Sequence, residues 1–166
     1  MTTPLTRAQA EDLLYLEALL IDTGRFAQWL DLFTSDVEFW MPAWRDETTI
    51  TQDPDSELSL IYYKGRRNLE DRVMRLTSGL STASSPLPRV VHQVTNVLVT
   101  ASDADGADVS AAFTCHRFDV RMNRADCFFG RYEYRLIPTE AGWKIAAKKI
   151  VLLNDTIPTV VDINAI

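Results

Sequence analysis

Histidine and cysteine are scarce in these 166 residues, two of each: His92, His116, Cys115 and Cys127. Two thiols in a chain of this length make no disulfide framework. The expected state is reduced and cytoplasmic, with a Cys115–Cys127 pair left open. Basic charge is short as well, 17 residues against 23 acidic ones for a net −6. Nucleic acid and anionic membranes both require a basic face, so neither is an expected partner. Long apolar runs are missing: Leu13 to Ile21 is the most apolar early stretch, but Glu17 interrupts it and it is too short to cross a bilayer. Met1-Thr2-Thr3-Pro4 shows no basic region leading into an apolar run and a cleavage site, so no secretory leader is expected. Neither a G-x-G-x-x-G or Walker-type loop nor a G-x-S-x-G elbow occurs, which excludes a standard nucleotide cradle and a nucleophile elbow.

The same scarcity limits metal chemistry. A Rieske cluster takes two cysteines and two histidines as C-x-H followed by C-x-x-H. Here Cys115 directly precedes His116, and no histidine follows Cys127 at that spacing. Neighbouring strand residues point to opposite faces, so Cys115 and His116 are not expected to converge. A non-haem iron triad would consume both histidines plus a carboxylate; both read more simply as hydrogen-bonded residues of a core or interface. Acid–base chemistry is the stronger rival. A curved antiparallel sheet backed by helices can form a cone with a pocket at its mouth, and His92, His116 and Asp119 are the candidates for a His–carboxylate pair there. No spacing singles them out against solvated carboxylates and structural histidines. No catalytic, cofactor-binding or metal residue is assigned to the chain.

What is present reads as one α+β domain over residues 1–166. Hydrophobic, aromatic and charged shares of 46%, 10% and 24% are ordinary for a globular protein. Thr6 and Gln9 fit a capping box. Leu13, Leu16 and Leu20 then place one face of a first helix inward, and Asp22-Thr23-Gly24 ends it. A second short helix is expected to carry Phe26, Trp29, Leu30 and Phe33 and to stop in a polar turn at Thr34-Ser35-Asp36. Val37 to Met41 is strand-like and ends at Pro42. The polar stretch from Arg45 to Glu57 is a long loop, Leu58 to Tyr63 is apolar again, and a third helix runs from about Gly65 to Thr77 with Leu69, Val73 and Leu76 inward.

After the Ser/Pro-rich connection from Ser81 to Pro88, strands come in series: Arg89 to Thr100, Asp108 to Met122, Cys127 to Pro138 and Trp143 to Asn154. In the third of these Phe128, Tyr132, Tyr134 and Leu136 alternate with Arg131, Glu133 and Arg135, giving one buried and one wet or partner-facing side. In the second the alternation changes phase between Phe113 and Phe118, which a bulge would explain.

Two further runs have two readings each. Phe39-Trp40-Met41-Pro42-Ala43-Trp44 is either a core strand or a source of rings for a partner. Arg66-Arg67-Asn68-Leu69-Glu70-Asp71-Arg72 is a solvated helix face or a polar interface. The first of these runs, with Ser56 to Tyr63 and Leu69 to Val73, then Lys148-Lys149-Ile150-Val151-Leu152-Leu153-Asn154-Asp155 and Asp162-Ile163, comes in an order and spacing that resemble the small (β) subunits of aromatic-ring-hydroxylating dioxygenases. The benzoate, toluate and anthranilate group is the most similar. The resemblance runs nearly end to end. It implies a cystatin-like or NTF2-like cone, with helices on a strongly curved sheet. It also implies a hexamer of three large and three small subunits (α3β3), in which the small subunits form a trimer beneath the large ones. In such enzymes the large subunit carries a Rieske [2Fe-2S] cluster and a mononuclear Fe(II). Electrons reach it from NADH through a reductase, and the product is a cis-dihydrodiol. The resemblance transfers no catalytic residue and no cofactor to this chain. Two alternatives stay open at this point: a stand-alone cone-fold isomerase or dehydratase, and a module that binds an aromatic acid without acting on it.

Overall fold

The structure, a computed structural model, describes residues 4–79, 85–157 and 159–166. Three helices and six strands follow in order: α1 (Arg7–Asp22), α2 (Phe26–Leu30), β1 (Phe33–Pro42), β2 (Ser59–Lys64), α3 (Arg66–Thr77), β3 (Arg89–Ser102), β4 (Ala107–Asp119), β5 (Arg124–Thr139) and β6 (Gly142–Leu152), with a closing 3-10 turn at Ile163–Ala165. The strands form one mixed sheet in the order β2-β1-β6-β5-β4-β3. All neighbours are antiparallel except β1 and β6, which run parallel. Helix α1 lies on β3, and α3 lies against β1 and β2. The order of helices and then a long sheet is the expected α+β class.

Local chemistry sets α1. Thr6 accepts from the Gln9 amide and the Gln9 side chain accepts from the Thr6 amide, so the reciprocal capping box forms. Gly24, at φ +66°, supplies the left-handed residue after the helix. The inward face differs from the expected one. Ala10, Leu14, Glu17, Leu20 and Ile21 are buried, whereas Leu16 is exposed. The face turns because Glu17 has buried partners, described below, so the residue that breaks the apolar stretch belongs to the core.

The second helix is shorter than expected. Phe33 opens β1, and Thr34-Ser35-Asp36 lies within that strand instead of forming a turn. A five-residue helix cannot carry Phe33 inward, and strand geometry does so: its ring packs edge-on against Trp29 at 4.7 Å between centroids and near Phe39. The expected bulge in the second long strand is also absent. β4 and β5 pair without a register shift from Ala107–Leu136 to Asp119–Arg124, and the buried positions keep one phase through Arg117. A buried arginine sits where alternation calls for an apolar side chain, and that produced the apparent phase change. Val120 and Met122 belong to the turn between β4 and β5. The irregularities lie one strand over, between Thr95 and Leu98 and between Val99 and Ala101 of β3, with Asn96 at φ +54°.

Other expectations hold with small changes of boundary. β2 and α3 fall where the pattern put them, with Leu69 and Leu76 buried and Val73 packed on the core. β5 buries Phe128, Tyr132, Tyr134 and Leu136 on one side. Of the Ser/Pro-rich connection from Ser81 to Pro88, residues 81–84 lie outside the described residues.

Candidate functional site

The antiparallel register decides the histidine question. His92 on β3 faces Cys115 on β4, and Val91 faces His116. Side chains directly across a sheet share a face while successive ones alternate. His92 and Cys115 therefore point inward, and His116 points outward with Cys127, its partner on β5. The two histidines cannot serve one iron, and Cys115 and His116 diverge as expected. These residues do not fit a Rieske cluster or a two-histidine triad. Among the described residues, no group of three or more His, Cys, Asp or Glu side chains is placed to hold a metal ion. Both thiols are free. Burial, reinforced by the Asp22 charge, pushes the Cys115 thiol up to about 12.

The three acid–base candidates, His92, His116 and Asp119, do not come together as a pair. Asp119 sits at the far end of β4, where it accepts from the Arg121 and Met122 amides and from Arg117. The Met122 amide holds its carboxyl below the usual range, with Arg117 and the Arg121 amide adding to the effect against the opposing penalty of burial. A carboxylate stabilised as an anion is a poor proton acceptor. Its surroundings are ionic: Arg117, itself buried, bridges Asp119 and Asp126, and Arg124 joins Asp126. Arg117 and Asp119 border a cleft of about 300 Å³ that also touches Arg72, Asp162 and Met122.

His92 has a different carboxylate. Its ring Nδ1 lies 2.6 Å from Asp22 Oδ1, and its backbone N–H donates to Asp22 Oδ2 at 2.9 Å. Asp22, which the sequence marks only as part of a helix stop, is thus brought from the end of α1 to the first half of β3. Beside it lies a second buried polar group that the sequence did not announce. Glu17 accepts from Lys148 Nζ at 2.8 Å and from the Tyr134 hydroxyl at 2.7 Å. The Lys148 ammonium also sits over the Tyr132 ring, 4.2 Å from its centroid. Burial first, and then the Glu17 charge, push both tyrosines well above their ordinary range.

The aromatic run divides between the two readings. Phe39 and Met41 face the core, and Trp40 is buried on the opposite side of β1 with its indole N–H donating to Ser59. Trp44 is 39% exposed, and its N–H donates to the Leu152 carbonyl at 2.7 Å. The charged face of α3 is partly paired within the chain, Arg66 to Asp31 and Glu70, Arg72 to Asp162. The loop from Arg45 to Glu57 is tied by Glu57, which accepts from Arg45 and from the Gln52 and Asp53 amides. Among the described residues, the inner-face histidine is not free: the His92 side chain is 2% exposed and held by Asp22. What the outer face offers is area: Val91, Leu98 and Phe129 are 50%, 56% and 44% exposed.

The small subunit of 2-halobenzoate 1,2-dioxygenase from Burkholderia cepacia is 39% identical over 150 residues, 90% of each chain. The crystal structure of the beta subunit of a benzoate 1,2-dioxygenase from Burkholderia mallei superposes with a TM-score of 0.82 at 32% identity, over 100% of both chains. An NTF2-like protein with a cystatin-like fold from Novosphingobium aromaticivorans matches at TM-score 0.60 and 15% identity, covering 90% of this chain and 83% of that one, which places the fold. The family model described as ring hydroxylating beta subunit matches residues 16–159, and the chain belongs to that family.

Proposed function

We propose that this chain is the small subunit of a ring-hydroxylating dioxygenase that cis-dihydroxylates an aromatic carboxylate such as benzoate, and that its work is assembly. Three copies form a trimer that seats three large subunits. The Rieske [2Fe-2S] cluster and mononuclear iron belong to the large subunit, which receives electrons from NADH through a reductase in the cytoplasm. No side chain of this chain takes part in the ring chemistry, and its residues 1–166 act as one domain. Family membership over residues 16–159 is the observation that carries the reading.

The physical layout supports it. Helices cover one side of the sheet, and the other side presents large apolar side chains from β3 and β5, a feature that marks interaction surfaces more often than monomer exteriors. The alternative of a stand-alone acid–base enzyme finds little support among the described residues, because the His92 side chain is 2% exposed, Asp119 is tied to Arg117 and His116 points to the opposite face.

Co-expression with the large subunit tests the proposal. The two chains should co-purify as a hexamer, while the small chain made alone should be colourless and iron-free. In an assembled, iron-replete complex, replacing both His92 and His116 by Ala should leave ring hydroxylation largely intact. A loss of turnover of about a hundredfold or more in such a complex would overturn the assembly-only reading.

A further inference from the structure

The cleft of about 300 Å³ beside Arg117 is built from parts of the chain far apart in sequence. α3 brings Arg72 to it, the end of β4 brings Arg117, the turn after β4 brings Arg121, and the closing 3-10 turn brings Asn164. Its size lies at the lower end of small-molecule sites. Three arginines and two aspartates line it, an excess of one positive charge on a chain of net −6.

Both aspartates are already satisfied as anions. Asp119 accepts from Arg117 and two backbone amides, and Asp162 accepts from Nε and Nη2 of Arg72 and from the Ile163 amide. A guanidinium has five N–H bonds to donate. Among the described residues Arg72 makes no hydrogen bond from Nη1, and Arg117 makes none from Nε. Asn164 is the telling residue. It is 5% exposed and lines the cleft, yet its carboxamide makes no hydrogen bond among the described residues. A buried carboxamide without a partner is costly, and a position that needed only filling would be better served by Leu. The partner of Asn164 therefore comes from the cleft that it lines.

We propose that this cleft binds a small organic monocarboxylate, its carboxylate against Arg72, Arg117 and Asn164 and its apolar body against Leu76, Pro86 and Met122. Donors left without a protein acceptor select an anion, and guanidinium groups suit the paired oxygens of a carboxylate. One excess positive charge matches a monoanion better than a dianion such as phosphate. The hydrocarbon wall favours an acid with an apolar body over a bare ion. A cation finds no place, since both aspartates are taken. Only the choice of benzoate as the probe rests on the assembly reading.

Equilibrium dialysis with labelled benzoate tests the site, on the full-length chain and on its hexamer with the large subunit. The chain alone should bind benzoate saturably. Asn164→Asp, which keeps the shape and adds a negative charge, should weaken binding by about tenfold or more, the worth of one charged hydrogen bond. In the hexamer the same substitution should remove one bound benzoate from each small subunit. Benzamide, uncharged and of the same shape, should not compete, whereas cyclohexanecarboxylate should. Arg121→Glu, in an exposed turn, carries the same measurements if Asn164→Asp does not fold. Binding that both substitutions leave unchanged would place the acid elsewhere, and phosphate competing as strongly as benzoate would mean an unselective anion patch. Benzoate bound by the chain alone but excluded from the hexamer would assign the cleft to a carboxylate side chain of the large subunit. Each of these results, or no saturable binding at all, overturns the proposal. A chain that binds benzoate yet never joins a large subunit would overturn the assembly reading and leave this site standing.

Discussion

Glu17 and Lys148 lie 131 residues apart in sequence and meet inside the protein, both almost wholly removed from water. Two desolvated charges are tolerable only because each is satisfied: the carboxylate by Lys148 and the Tyr134 hydroxyl, the ammonium by Glu17 and the face of Tyr132. Removing one partner leaves the other buried and uncompensated. Glu17→Leu should cost about 3–5 kcal/mol in urea unfolding, and adding Lys148→Met should recover most of it, since a volume-matched apolar pair is nearly neutral. A double mutant no better than the single would mean that the pair itself, and not the orphaned charge, sets the cost.

The thiols give a second residue-level expectation. Cys115 is buried and raised to about 12, whereas Cys127 is exposed. Maleimide should label Cys127 in the native protein and reach Cys115 only on unfolding. The folded value lies above the ordinary value of 9.0, so the unfolded thiol ionises first. The stability Cys115 contributes is complete below pH 9 and drains away as pH rises toward about 12. Cys115→Ala should flatten the stability profile across that alkaline window.

At the level of elements, close packing between strands rests on single positions. A Cβ on Gly130 of β5 would lie 2.0 Å from the Val151 carbonyl oxygen and 2.9 Å from the Phe113 ring. Backbone cannot move aside as a flexible side chain can, so Gly130→Ala should destabilise by about 3 kcal/mol, the top of the overpacking range, with β5 and β6 losing amide protection first. Thr6→Ala, which removes the side-chain half of the capping box, should cost only about 1 kcal/mol.

The contrast between those two positions also says what a sequence can disclose. The Thr6–Gln9 box, the stop at Gly24, α3 and the alternation of β5 depend on residues within a few places of one another, and they are readable by eye. The spacing of Phe33 from Trp29 and Leu30 fits a helix as well as a strand, and packing against Trp29 and Phe39 decides for strand. Arg117 interrupted an apolar alternation that the backbone in fact continues, because Asp119 and Asp126 make its burial affordable. The parallel pairing of β1 with β6 left no trace in either strand. The site was least legible of all. Asp22 and His92 are 70 residues apart, and no spacing rule connects a helix stop to a strand interior.

For the molecule as a whole, the question is which surface carries the assembly. One side of the sheet is occupied by α1 and α3, so contact with other subunits falls to what remains. Val91 on β3 and Phe129 on β5 sit on the outer face, on strands flanking β4, where they face His116 and Thr114 respectively. Their outward side chains contribute little to the isolated fold, and substituting exposed positions of this kind usually shifts stability by less than about 0.5 kcal/mol. Val91→Asp with Phe129→Asp places two charges in the path of any apolar contact made there. Uncompensated burial of charge is far more costly than the loss of two apolar contacts. The double variant should therefore keep its melting temperature as an isolated chain and fail to form a hexamer with the large subunit in size-exclusion chromatography. A variant that still assembles with undiminished affinity would move the interface off this face, toward Trp44, the exposed aromatic side chain of the Phe39–Trp44 run, and the loop from Arg45 to Glu57.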